Sequence, residues 1–211
     1  MADLSREQIE AKLKEYIDPY MGKDLVSAKC VRNVMIEGDQ VVVDVVLGFP
    51  AKGYMEELSA KLKEMVESVD GVAKARVNVS MAIEAHSVQK GVKMLAGIKN
   101  IIAVASGKGG VGKSTTATNL ALALSAEGAN VGVLDADIYG PSQPRMLGIT
   151  GKPESKDGQT LEPLVSYNIQ TMSIGFLVDE ETPMIWRGPM VTQALQQLLG
   201  DTNWSNLDYL V

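Results

Sequence analysis

Ile9, Leu13, Tyr16 and Ile17 recur at helical spacing behind Ser5-Arg6-Glu7-Gln8, a capping-box sequence, and Asp18-Pro19 ends the pattern. Val26 to Glu37 then has strand character, with Val26, Ala28, Cys30 and Arg32 sharing one face. A Gly38-Asp39 turn leads to Val41, Val43, Val45 and Leu47 at strand spacing, and Pro50 and Gly53 break that run. From Tyr54 to Val69 the period is helical again, with Leu58, Leu62, Met65 and Val69 on one face. Asp70-Gly71 turns the chain into a last strand, where Ala75, Val77, Val79, Met81 and Ile83 alternate with other residues. The order helix, strand, strand, helix, strand predicts a small α+β domain over residues 1–84.

Residues 85–100 carry no strong period, and Gly91 and Gly97 loosen them, so a linker is predicted there. The grammar changes at Ile101. Ile101 to Ala105 is a short continuous apolar run, as expected for a parallel strand covered on both faces. A glycine-rich loop follows, then a helix with Ala117, Leu120, Ala121 and Leu124 in phase, closed by Gly128, then a buried strand from Val131 to Leu134. Strand, loop, helix, strand is a βαβ unit, so residues 101–211 are predicted to form an α/β domain with a parallel sheet. Further on, Lys152 to Gln159 reads as a polar loop, Ile169 to Ile174 as a strand, Val191 to Leu199 as a helix burying Leu195, Leu198 and Leu199, and Leu207 to Val211 as another strand.

Composition removes several function classes. Hydrophobic residues make up 45% of the 211 and charged residues 22%, an ordinary balance for a globular chain. No apolar run reaches the ~18 residues that span a bilayer, and the polar, acidic start from Met1 to Glu10 is unlike a secretion signal. One cysteine excludes an intramolecular disulfide and suits a reducing compartment, so a cytoplasmic location without membrane attachment is expected. The net charge of −6 is uneven: residues 1–99 hold 14 Lys/Arg against 15 Asp/Glu, and residues 100–211 hold 6 against 11. With Lys108 and Lys113 committed to the glycine loop, too few cations remain for the basic stripe that nucleic-acid partners require.

Gly107-Lys108-Gly109-Gly110-Val111-Gly112-Lys113-Ser114, followed by Thr115, matches the phosphate-loop pattern G-x-x-x-x-G-K-[ST] in full, between a strand and a helix. Glycines let the backbone wrap closely around phosphate oxygens. Their N–H groups converge on the anion, and the helix starting near Lys113 points its positive end at the same place. Lys113 supplies a mobile charge for the β and γ phosphates, and the Ser114 hydroxyl is placed to ligate magnesium. ATP with magnesium is the expected ligand. Asp135-Ala136-Asp137 closes the next strand, where carboxylates face the ligand crevice of an open α/β sheet.

Lys108 extends the motif to Lys-Gly-Gly-Val-Gly-Lys-Ser-Thr, which resembles the deviant Walker A motif of the dimeric MinD, ParA and nitrogenase-iron-protein ATPases. That resemblance implies a homodimer in which Lys108 reaches the partner's nucleotide, with Asp137 orienting the attacking water and Asp135 near the magnesium shell. Asp135-Ala136-Asp137-Ile138-Tyr139-Gly140-Pro141-Ser142, Trp186-Arg187-Gly188-Pro189-Met190 and Leu207-Asp208-Tyr209-Leu210-Val211 together look like the Mrp (ApbC) branch, and the first domain resembles the module that many bacterial Mrp proteins carry. Membership there implies a slow, regulatory ATPase that carries iron–sulfur clusters to apoproteins.

The likeness also implies residues beyond this sequence: a Walker B aspartate, a Pro-Pro-Gly turn and a Cys-x-x-Cys pair in each subunit. The chain is therefore expected to be truncated inside its third core strand, with a 4Fe–4S cluster belonging only to a full-length parent. Cys30 is expected to pack in the core and to ligate no iron. His86 is expected to be solvated or locally bonded, and Met146, Met172, Met184 and Met190 to pack. Two other functions stay open: a partitioning ATPase of the MinD or ParA kind, and a nucleotide-binding interaction module without turnover.

Overall fold

In a computed structural model, which describes residues 4–86, 95–178 and 188–211, the chain divides into two compact units, Met1–Ile83 and Glu84–Val211. The first unit opens with α1 (Arg6–Lys14), whose capping box is formed: Ser5 Oγ accepts from Gln8 N, and Gln8 Oε1 accepts from Ser5 N. β1 (Val31–Glu37) and β2 (Gln40–Leu47) pair antiparallel across the Gly38-Asp39 turn, α2 (Met55–Glu67) crosses over, and β3 (Lys74–Met81) returns parallel to β2. Val41, Val43, Val45 and Leu47 bury one face of β2 against Ile9 and Leu13 of α1 and Leu58, Leu62 and Val66 of α2. The buried α2 stripe ends on Val66, while Met65 and Val69 are only partly covered.

The strand expected from Val26 begins only at Val31. Asp24 Oδ1 accepts from Ser27 N at 2.7 Å and Ala28 N donates to the Asp24 carbonyl, so this segment coils into a turn, with Lys29 at φ +59°. A carboxylate that captures nearby N–H groups competes with a sheet ladder. Cys30 is nonetheless buried in the core, as expected, at the end of that turn.

The second unit is α/β with a mainly parallel sheet. β4 (Ile98–Ile101) leads through the glycine loop to α3 (Lys113–Ala126) and β5 (Val131–Asp135), then to a short α4 (Gln143–Met146). β6 (Leu164–Ser166), β7 (Ile169–Ser173), a 3-10 turn at Ile174–Phe176, α5 (Gly188–Gly200) and β8 (Leu207–Leu210) complete it. The strand order is β4-β8-β5-β7-β6, with only the β6–β7 pair antiparallel. β8, last in sequence, lies between β4 and β5. Its Leu207 and Leu210 pack with Trp204, Met172 and Leu198 in the core, where Gly132 of β5 leaves room for them.

Two expectations are corrected here. The phosphate-loop strand is Ile98–Ile101 rather than Ile101 to Ala105, so residues 98–100 belong to the sheet and not to a linker. It is also not covered on both faces, since Ile101 is 55% exposed. The reason is position. Among the described residues β4 is an edge strand pairing with β8 alone, and that ladder ends where Ile102 N donates to the Leu210 carbonyl. An apolar run cannot reveal which strand lies at an edge. β5, inside the sheet, buries all its residues but the half-buried Leu134, close to what its sequence predicts.

Candidate functional site

β4 and β5 are parallel strands, and the loops leaving their carboxyl ends carry the expected site residues. Gly110 and Gly112 have φ of +72° and +86°, the left-handed region where a side chain is strained. Gly112 is the N-cap of α3, so the chain turns sharply and enters the helix at Lys113, leaving the first-turn N–H groups without intrahelical partners. Upstream the loop is held by Ser106, whose hydroxyl accepts from Lys108 N and donates to the Lys108 carbonyl at 3.1 and 3.0 Å. Lys108, Gly109, Val111 and Thr115 are exposed.

A cavity of about 470 Å³ opens between the two loops, lined among others by Lys113, Ser114, Asp135 and Asp137. Lys113 Nζ lies 3.2 Å from Asp137 Oδ2, joining the helix to the segment after β5. The other Asp137 oxygen accepts from Gly140 N at 3.3 Å. The structure thus brings four of the predicted side chains to one cavity, with Lys108 outside its lining.

Asp135 is only 5% exposed, and its carboxylate organises backbone. Oδ1 accepts from Asp137 N at 3.2 Å. Oδ2 accepts from Ser142 N at 2.8 Å, Gln143 N at 2.9 Å and Ser173 Oγ at 3.4 Å. The segment bearing Asp137 is therefore clamped at both ends by one buried carboxylate. Pro141 also packs on Gly175, where a Cβ would meet its ring carbons at 3.2 Å.

Sequence reasoning missed two contributors. Gln143, 4% exposed, accepts from Thr118 Oγ1 at 2.7 Å and donates from Nε2 to the Ser114 carbonyl at 3.2 Å. Thr118 had a usable signal, since it shares the buried face of α3 with Ala121. Gln143 had none, being a polar residue in a loop-like Pro-Ser-Gln-Pro run. Asp208, away from the cavity, accepts from Lys99 Nζ at 2.7 Å and Asn130 N at 2.8 Å, which ties β8 to its neighbours at the amino end of the sheet.

Other expectations resolve individually. His86 is exposed, and its backbone N and ring Nδ1 lie 3.0 and 3.2 Å from Asn100 Oδ1. Met172 is fully buried, whereas Met146 is 39% exposed with its sulfur 3.7 Å from Thr118 Oγ1, and Met190 is 44% exposed. Trp186, Arg187 and Met184 lie outside the described residues, as do residues 87–94, half of the expected linker. Burial pushes the Cys30 thiol above its ordinary pKa, which disfavours the thiolate that metal binding needs. Among the described residues no group of three or more His, Cys, Asp or Glu is placed to hold a metal ion, and no helix is long and apolar enough to cross a membrane.

Comparison with known proteins adds a family. Residues 97–211 match the family described as ParA, NUBPL iron-transfer P-loop NTPase, and residues 6–79 match the one described as iron-sulfur cluster assembly protein. A Pseudomonas fragi protein named iron-sulfur cluster carrier protein is 53% identical over 152 residues, covering 71% of this chain and 53% of its own. One of the same name from Escherichia coli K12 is 43% identical over 207 residues, covering 98% of this chain and 56% of its own. The chain spans about half the length of these curated relatives. A solved nucleotide-binding protein from Archaeoglobus fulgidus, in complex with ADP, is 40% identical over 53% of this chain and 42% of its own, with a TM-score of 0.44.

Proposed function

The chain belongs to the NUBPL iron-transfer P-loop NTPase family, and from that premise we propose that it binds and hydrolyses ATP with magnesium at the loop from Gly107 to Thr115. The observation that carries this reading is the entry into α3: two left-handed glycines deliver a fourteen-residue helix whose first residue, Lys113, stands over a cavity shared with Ser114 and Asp137. Such a helix start offers unpaired N–H groups and a positive dipole end, which fits a polyphosphate.

In this reading Lys113 leaves Asp137 to bind the β and γ phosphates, while the Ser114 hydroxyl ligates the magnesium that accompanies the nucleotide. Asp137, once released, orients the attacking water. Lys108, exposed on the loop, offsets developing charge on the nucleotide of a second copy in a homodimer. Asp135, beside the metal shell, acts through the backbone groups it holds.

The names of the relatives support a further proposal, that the whole protein carries iron–sulfur clusters to apoproteins. Cluster iron takes about four thiolates. Cys30, in the core of the first unit with its sulfur 3.9 Å from Met21 Sδ, does not fit that demand, so the cargo site is assigned to no residue of this chain.

Titration of ATP with magnesium into the unsubstituted chain and Lys113→Ala tests the nucleotide reading. Loss of a charged hydrogen bond of ~1.5 to 3 kcal/mol predicts affinity lower by roughly 10- to 150-fold. Equal affinities refute it.

A further inference from the structure

We infer that Gln143 is a positioning residue that couples the Ser114 end of the phosphate loop to the segment carrying Asp137, so that the magnesium-dependent part of nucleotide binding runs through its side chain. The inference rests on the nucleotide reading above and concerns how the two halves of that site are held in register.

A glutamine side chain in a protein interior is costly unless its amide is hydrogen-bonded at both ends. Gln143, at 4% exposed, meets that condition by bridging two elements. Its Oε1 takes the Thr118 hydroxyl at 2.7 Å, and its Nε2 donates to the Ser114 carbonyl at 3.2 Å, so both contacts fall in the first two turns of α3. Its own backbone N–H donates at 2.9 Å to Asp135 Oδ2, the oxygen that also holds Ser142 N. One residue thus connects β5, the segment from Asp137 to Ser142, and the helix turn that presents Ser114.

The consequence follows from geometry. The Ser114 carbonyl also lies 2.9 Å from Thr118 Oγ1, but that hydroxyl has one proton and its shorter contact is to Gln143. The amide is therefore the added tether on the residue whose hydroxyl is proposed to meet magnesium. Displacing Ser114 pulls on Gln143, and Gln143 pulls on the same carboxylate that clamps Asp137 N. A bare packing residue would not distinguish metal-bound from metal-free nucleotide. A tether on Ser114 does, because only the metal-bound form uses that hydroxyl.

The experiment measures ATP affinity of the 211-residue chain in magnesium and in EDTA for the unsubstituted protein, Gln143→Met, Ser114→Ala and the Gln143→Met/Ser114→Ala pair. Methionine keeps length and apolar bulk while removing both hydrogen bonds. Gln143→Met is expected to reduce the strengthening by magnesium about tenfold, an effect of ~1.4 kcal/mol, with affinity in EDTA within about twofold of the unsubstituted chain. In the Ser114→Ala background the same change is expected to have no further effect, a coupling that a double-mutant cycle reads directly. Thr118→Val removes the donor to Oε1 with little change of shape, guards against a misfolded methionine variant, and should lower the magnesium factor in the same direction.

Equal losses in magnesium and EDTA, repeated unchanged in the Ser114→Ala background, mean a purely structural role and overturn the inference. So does a Gln143→Met chain that binds as the unsubstituted one does. If the unsubstituted chain binds no ATP under either condition, the nucleotide reading itself fails, and this inference falls with it.

Discussion

Replacing Asp137 by asparagine separates the ion pair seen in the structure from the water-orienting role proposed for the same side chain. The carboxylate holds Lys113 at 3.2 Å through Oδ2 and accepts from Gly140 N through Oδ1. An asparagine oxygen can keep the Gly140 bond, but its NH₂ then faces the lysine and cannot accept from it. A phosphate competing for that ammonium no longer has to displace an ion pair. The two side chains are 32% and 39% exposed, so the pair belongs with the solvent-screened kind, worth about 0.2 to 1 kcal/mol. Asp137→Asn should therefore bind ATP with magnesium roughly 1.4- to 5-fold more tightly. Removing a negative charge near the phosphates acts in the same direction. The gain should shrink in high salt, because screening weakens the pair being relieved. Turnover should move the opposite way, falling by roughly 10²- to 10⁴-fold if Asp137 orients the water. Calorimetric titration at low and high salt, beside a phosphate-release assay, reads both. Weaker binding by Asp137→Asn, or tighter binding with unchanged turnover, would refute the assignment.

Two further outcomes are expected elsewhere. Lys108→Ala should keep ATP affinity and lose most turnover, because its proposed target is the partner's nucleotide; parallel loss of both in binding and phosphate-release assays would make it an ordinary loop contact. Gly132→Ala puts a Cβ 2.6 Å from Leu207 Cδ1 and 3.0 Å from Leu210 Cδ1 in the centre of the second sheet. Overpacking of about 1 to 3 kcal/mol should exceed the ~0.4 to 1 kcal/mol gained from a stiffer unfolded chain, so the urea midpoint followed by tryptophan fluorescence should fall.

Local pattern was enough for much of this protein. The capping box at Ser5 and Gln8, the alternation of Val41 to Leu47, the apolar run of the strand from Val131 and the complete phosphate-loop motif each depend on residues a few positions apart. Periodicity, capping and glycine geometry are short-range physics and can be read along a line. So can the loop's proposed chemistry, since Lys113 and Ser114 follow Gly112 directly.

What the line does not contain is adjacency between distant segments. The place of β8 between β4 and β5 is set by packing of Leu207 and Leu210 against Trp204 and the bare face of Gly132, and that placement leaves β4 an edge strand with Ile101 exposed. The Asp24 turn displaced an expected strand, because a side-chain oxygen outcompeted the ladder for nearby N–H groups. Asp135 was legible as a strand-end carboxylate, but its service to Ser142, Gln143 and Ser173 was not. Gln143 carried no periodic signal, and its significance arises only when folding brings it onto Thr118 and Ser114, 25 and 29 residues away. The sequence by itself determined the two-part organisation of elements and the phosphate-loop motif, because both are written in neighbouring residues. Only the tertiary structure decided which buried polar groups tie that loop to the segment bearing Asp137, because a buried amide takes its partners from whatever the packed chain places within about 3 Å.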